Sequence, residues 1–203
     1  MRSAYRSVKT AKLSLSSTVA GRLYRSTIYY QAPKSVRAEI STLAGAPPTT
    51  TQTIITDGKM IWRRVSGMPT SRTAPYNMNV LEGALPVCNL ESLCFYDWDR
   101  QLSTSPGHNM AHSILTIQPN QEWNGRKWIV LQESAPNEQV PVLCHYWVDP
   151  KTFLIWRTTQ RQFGHAADAL DDRITKIEVN IPLPAPTFHI PAPDSGGGPL
   201  IKT

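Results

Sequence analysis

"AKLSLSSTVAGRLYRSTIYY", residues Ala11–Tyr30, is the stretch on which the fold turns. Apolar Ala11, Leu13 and Leu15 alternate with Lys12, Ser14 and Ser16. Successive side chains of a strand point to opposite faces, so this pattern predicts a half-buried strand. Gly21 then marks either the junction of two long strands or a bend or bulge within one.

The same alternation extends outward. In "SVRAEISTL", Ser35–Leu43, Val36, Ala38 and Ile40 alternate with Arg37, Glu39 and Ser41. That is a strand with one wet face. "TTTQTIIT" and "KMIWRRV" flank Asp57-Gly58, a pair that tolerates the positive φ of a type I′ hairpin. After Ser66 the alternation lapses. "PTSRTAPYN" reads as loop. "NVLEGALPVCNLESLCFYDWDRQL" reads as helical, with Asn89 capping a helix through Leu90, Leu93, Cys94 and Trp98, and Pro86 breaking it from anything before. Strands resume in "HSILTIQP", "RKWIVLQES", "PVLCHYWVD", "FLIWRTTQRQ" and "RITKIEVNI", with turns at Asn124-Gly125 and Asp149-Pro150. "SAYRSVKTA" reads as the end of an amphipathic helix with Ala4 and Val8 on one face. "IPLPAPTFHIPAP" carries too much proline for a central strand. "DSGGGPLIKT" reads as a tail without a core of its own.

The order is therefore helix, about five strands, a helical insertion, and about five strands. The fold class expected is mainly β (α+β), one large antiparallel sheet with helices on one face. About ten strands in one sheet must curl strongly or close.

Composition limits the functional classes. A chain of 203 residues can bury a substantial core without metals or disulfides. Its net charge of +6 favours an anionic partner, but the basic residues are scattered and form no run. No apolar run nears the ~20 residues that span a bilayer. The basic "MRSAYRSVKT" is followed by no apolar segment and is not a signal peptide. Cys88, Cys94 and Cys144 contain no C-x-x-C pattern; a Cys88–Cys94 disulfide and three reduced thiols both fit.

Chemical motifs are sparse. There is no phosphate-cradling glycine loop and no G-x-S-x-G. His108 and His112 in "HNMAH" stand four apart, but Pro106-Gly107 and a following strand pattern argue against the helix that would make them metal ligands. Asp97 with Asp99, and Asp171 with Asp172, do not converge as an acid–base pair. Trp62-Arg63-Arg64 and Trp156-Arg157 interleave aromatics with cations as a nucleic-acid platform does. They read more simply as strands with Trp inward and Arg outward. No catalytic residue, metal site or cofactor is expected. What stands out is 6 Trp and 7 Tyr in such a chain. Four of the tryptophans, Trp62, Trp128, Trp147 and Trp156, fall on expected strands. One sheet under one helical cover suits an apolar ligand on its concave face; a fully packed core is the competing reading.

The residue order adds a resemblance. The chain resembles the LolA-like superfamily of periplasmic lipoprotein carriers and related lipid binders and sensor domains. The likeness runs from about Ala4 to Pro193. "AYRSVKTAKLSLSSTV" resembles its first helix and strand, and "YYQAPKSVRAEI" its aromatic-x-x-Pro-x-x-x-Arg stretch. "TDGKMIWRR" resembles its D-G-x-x-x-W hairpin, and "YWVDPKTFLIWR" its W-[IV]-D-P-x-T hairpin. "ITKIEVNIPLPAPTFHIPAP" resembles its closing strand. The resemblance implies an unclosed half-barrel of about eleven antiparallel strands, with a lid of helices over the concave face. It implies a single domain over 1–193 with the lid at about 79–102, and a flexible tail over 194–203.

It also implies a non-enzymatic protein that binds or carries a lipid or lipoprotein acyl chain. The setting would be the periplasm or another extracytoplasmic compartment of a bacterium, the signal peptide having been removed. The alternative is a protein-interaction or envelope-stress sensor module on the same fold. The partners expected are acyl chains and an envelope or membrane protein, without nucleic acid, for a monomeric chain. The cavity would be lined by Leu13, Leu15, Val36, Ile40, Trp62, Trp128, Val130, Tyr146, Trp156, Ile177 and Val179, and closed by Leu90, Leu93 and Trp98. One departure bears on lipoprotein shuttling. Carriers have a lid-anchoring Arg before the Pro of the third-strand turn, and here that place is Ala32.

Overall fold

The computed structural model describes residues 2–43, 50–68, 70–77, 80–81, 114–135, 142–162 and 168–192. A five-residue helix, α1 (Arg2–Arg6), leads into six strands: β1 (Thr10–Val19), β2 (Arg22–Gln31), β3 (Ser35–Thr42), β4 (Thr50–Thr56), β5 (Met60–Val65) and β6 (Arg72–Pro75). Five more follow: β7 (Ile114–Trp123), β8 (Arg126–Ala135), β9 (Val142–Val148), β10 (Ile155–Gln162) and β11 (Leu170–Val179). All eleven form one antiparallel, unclosed sheet in the order β6-β5-β4-β3-β2-β1-β11-β10-β9-β8-β7. A short 3-10 helix over Ala185–Phe188 contacts β3.

The turns explain the strand lengths. Ala20 and Gly21 both have positive φ, 47° and 77°, so Ala11–Tyr30 is two strands joined by a two-residue hairpin. Asn124-Gly125 repeats the device, at 53° and 69°. The Asp57-Gly58 turn differs from expectation. Its loop runs over residues 57–59, and of the Asp57-Gly58 pair only Gly58 has positive φ, 88°. The Asp57 side chain closes it, accepting hydrogen bonds from the Lys59 and Met60 amides at 2.8 and 2.9 Å. A Cβ at Gly58 would lie 3.0 Å from Lys34 Cβ, so the tight packing also asks for glycine there. Asp149 builds a similar turn by accepting from the Lys151 and Thr152 amides.

"PTSRTAPYN" is not all loop, because Arg72–Pro75 pairs with β5 as edge strand β6. Four residues ending in proline carry little alternation, and an edge tolerates both features. The helical stretch expected after Asn79 touches the described residues only at Val80 and Leu81; Pro86, Cys88, Asn89, Leu90, Leu93, Cys94 and Trp98 lie outside them, as do His108, His112 and the tail beyond 192.

The main core sits on one face of the sheet, here termed inner. Ala11, Leu13, Leu15, Ile28, Tyr30, Val36, Ala38, Ile40, Ile54 and Ile61 meet Cys144, Tyr146, Val148, Ile155 and Ile174 there. Tyr5, Val8 and Leu81 pack onto the same cluster. Tyr5 also ties helix to sheet, its Oη accepting the Ile155 amide proton at 2.7 Å. Replacing it with Phe leaves that buried N–H unsatisfied. Tyr5→Phe is expected to lower unfolding free energy by about 1–3 kcal/mol in urea titration, with unchanged far-UV circular dichroism. An unaltered midpoint would contradict this role.

Candidate apolar binding face

Strand register assigns every side chain to a face. One inner-face row crosses seven strands: Tyr24, Ser17, Asp172, Thr158, Tyr146, Leu131 and Ile117 are successive cross-strand partners. The row passes from closed to open. Ser17, Asp172 and Thr158 are wholly buried, Leu131 is half-buried, and Ile117 at the free edge is 78% exposed. The neighbouring row ends likewise, from Glu133 to Leu115, which is 58% exposed. The inner face thus has an apolar floor on β1–β5, a buried polar strip that crosses β2, β1, β11 and β10, and an apolar lip on β7.

The strip is chemically unusual. Ser17 Oγ, Ser26 Oγ and Thr158 Oγ1 are shielded from water with no hydrogen-bond partner in the described structure. A buried hydroxyl left so costs about 1–3 kcal/mol. Tyr146 Oη donates to Glu133 Oε2 at 2.6 Å, so that carboxylate is engaged inside the same face.

Of the residues expected to line a cavity, Leu13, Leu15, Val36, Ile40 and Tyr146 lie together in the inner cluster, and Ile177 packs against it. Val179 sits opposite Ala11 but is 37% exposed. Trp62, Trp128 and Val130 are corrections. Trp62 pairs with Ile55, and both face outward, while Ile61 and Arg63 take the inner side of β5. Val130 pairs with Trp147 and joins Trp128 in a second, outer cluster. The cause lies in "MIW" and "WIVL", where consecutive apolar residues remove the alternation that would choose a face. Trp156 is the extra residue of a bulge between Ile155 and Arg157; it touches both clusters and lies 6.1 Å from the Trp128 ring.

The outer cluster completes itself. Trp128 Nε1 donates to the Trp123 carbonyl at 2.8 Å. The Arg157 guanidinium lies 4.5 Å from the Trp147 ring and 5.5 Å from Trp123, while donating to both carboxylate oxygens of Asp171 at 2.9 and 3.0 Å. Arg157 is therefore committed to its own sheet. Trp62 and Arg63 are split between faces. The adjacent acids Asp171 and Asp172 also face opposite ways, so these two form no paired-carboxylate site. Among the described residues no group of three His, Cys, Asp or Glu could hold a metal.

No protein-family model matches the chain, and no curated protein sequence does. Solved structures do. The crystal structure of MucB in complex with MucA(peri) aligns at a TM-score of 0.50 and 14% identity, over 93% of this chain and 56% of that one. MucB alone aligns at 0.49 and 14% identity, over 94% and 60%. The LolA superfamily protein NE2245 from Nitrosomonas europaea aligns at 0.33 and 12% identity, over 89% of both chains. The fold is shared with MucB. At these identities the likeness is one of fold alone, and this chain spans only about 60% of the length of MucB.

Within the sheet the Arg157–Asp171 pair has a pH signature. Burial pushes the Asp171 carboxyl up, but hydrogen bonds from Arg157 and Arg173 outweigh it and hold the group below its ordinary value. A carboxyl depressed in the folded state stabilises above its unfolded pKa, about 3.9, and loses that contribution as pH falls through the folded value. Asp171→Asn is expected to cost about 1–3 kcal/mol at neutral pH and to flatten the acid limb of stability below about pH 4. Urea titrations from pH 7 to pH 2 measure this; an unchanged acid limb would contradict it.

Proposed function

We propose that this chain is a non-enzymatic binder or carrier of a lipid or lipoprotein acyl chain in the bacterial envelope, with the inner face of the sheet as its site. The observation that carries the reading is the row from Ser17 to Ile117, which runs from a closed, buried polar strip to an open apolar edge. An acyl chain entering over Leu115 and Ile117 would lie against Leu131 and Tyr146. The hydroxyls of Ser17, Ser26 and Thr158 would then donate to ester or amide carbonyls, which water-free apolar packing cannot satisfy. Each acyl methylene taken from water contributes about 0.8 kcal/mol, so a long chain supplies on the order of 10 kcal/mol before association costs. Little polar recognition is then required, which suits a chain without catalytic motifs. Leu90, Leu93 and Trp98 complete the proposal as the residues that cover the bound chain.

A second reading, docking of a protein partner along β7, draws support from that strand's exposed edge and from the complex of MucB with MucA(peri). One substitution separates the two. Ile117 is exposed, so Ile117→Asp leaves the core intact. Under the acyl-chain reading, the wild type carries extractable lipid by mass spectrometry and releases a fluorescent fatty acid to competing lipid. Ile117→Asp then weakens that binding roughly tenfold, in keeping with a charge placed on an apolar path. If no lipid co-purifies and none competes, while Ile117→Asp abolishes retention of an envelope protein, the second reading replaces the first.

A further inference from the structure

The opposite edge of the sheet holds a cationic cleft that the acyl-chain reading does not use. Arg63 on β5 and Arg72 on β6 are direct cross-strand partners. Directly opposed side chains in an antiparallel pair have Cβ atoms about 4.5–5.5 Å apart, and like charges there repel. Another directly opposed arginine pair, Arg157 and Arg173, resolves this by sharing Asp171. Arg63 and Arg72 form no ion pair among the described residues. Arg63 donates from Nη2 to Gln52 Oε1 at 3.1 Å, and its Nε is shielded from solvent with no partner among the described residues. Burial first, and then the Arg72 charge, lower the affinity of Arg63 for its proton.

Beside this pair opens a cleft of about 350 Å³ lined by Arg63, Val65, Met68, Thr70 and Arg72. That exceeds the ~30 Å³ share of one water by an order of magnitude. Two guanidinium groups supply planar forks of donors suited to an oxyanion, and Thr70 adds a hydroxyl. Val65 and Met68 give the cleft an apolar wall.

We propose that the cleft between Arg63 and Arg72 binds the phosphate group of a phosphate ester, with Val65 and Met68 against the organic part. A dianionic monoester phosphate neutralises both cations at once, a monoanionic diester offsets one of them, and either gives the shielded Arg63 Nε an acceptor. The inference rests on the β5–β6 hairpin alone and is independent of whether an acyl chain occupies the inner face.

The test uses the whole chain, with glycerol 3-phosphate in calorimetry at low salt, and flotation with phosphatidylcholine vesicles that contain or lack phosphatidylglycerol. The wild type is expected to bind one or both phosphate probes. R63Q and R72Q are each expected to weaken that binding about tenfold, as loss of a charge-assisted hydrogen bond does, and the double variant to lose it. Affinity for glycerol 3-phosphate assigns a soluble ester; affinity for anionic vesicles alone assigns a lipid headgroup. Arg72 is exposed and its replacement leaves the core untouched, so R72Q keeps the test decisive even if R63Q unfolds. No wild-type binding to either probe, or R72Q binding both as the wild type does, overturns the proposal. Fatty-acid displacement by R72Q is expected to match the wild type, which keeps a failure here distinct from a failure of the acyl-chain reading.

Discussion

The pairing of the first strand with the last organises this molecule. Ala11 meets Val179, Leu13 meets Ile177, and Leu15 meets Ile174 past a bulge that lets Thr175 Oγ1 donate to the Ser14 carbonyl at 3.1 Å. Asn180 locks the end of the seam, its amide donating to the Thr10 carbonyl and its side-chain oxygen accepting from the Lys9 amide. Contacts so distant along the chain carry a large loop-closure cost, recovered only once both halves fold. That seam turns two separate half-sheets, β1–β6 and β7–β11, into one layer with a continuous inner face. Without it the row from Ser17 through Asp172 and Thr158 to Tyr146 does not exist.

The two faces of the layer solve burial differently. The outer face of β8–β10 is self-sufficient: Trp123, Trp128 and Trp147 pack on one another and on a guanidinium already neutralised by Asp171. The inner face is built from small and branched aliphatics, with little beyond Tyr5, Val8 and Leu81 set on it among the described residues. Its polar groups sit where the two half-sheets meet, and its apolar lip sits at the β7 edge. Pro119 and a register shift between Gln118 and Gln121 interrupt the pairing of β7 with β8, a common way for an edge to limit unwanted strand pairing. The lip that remains, at Leu115 and Ile117, is therefore local rather than a long open edge.

Much of the sheet was legible in the sequence because alternation is a local signal. Ala11–Leu15 and Val36–Ile40 each reveal their buried face, and the structure places those residues inward. Asn124-Gly125 is legible for the same reason, since a two-residue turn imposes its own residues. Legibility fails where the signal is absent. "MIW" and "WIVL" are apolar on both faces, so Trp62, Trp128 and Val130 could not be assigned without the register of their neighbours. Asp57-Gly58 had the residues of a two-residue turn, yet the Asp57 side chain favours a longer loop by bonding two amides. The polar strip and the Arg63–Arg72 cleft were invisible, because they join residues that only pairing between strands brings together. The expected placement of "DGKMIWRR" in a hairpin held, but the arginine that matters faces the opposite way from its tryptophan.

The central claim is that a lipid chain lies on the inner face of β8 and β9 after entering over β7. Photolabelling with a fatty acid bearing a diazirine at its methyl end, mapped residue by residue by mass spectrometry, tests it most directly. Neighbours in sequence report opposite faces: Leu131 and Tyr146 point inward, Val130 and Trp147 outward. Adducts concentrated on inward-facing residues such as Leu131, Tyr146, Leu115 and Ile117 are the predicted result. Adducts on Val130 and Trp147, or none that unlabelled lipid suppresses, would contradict the account.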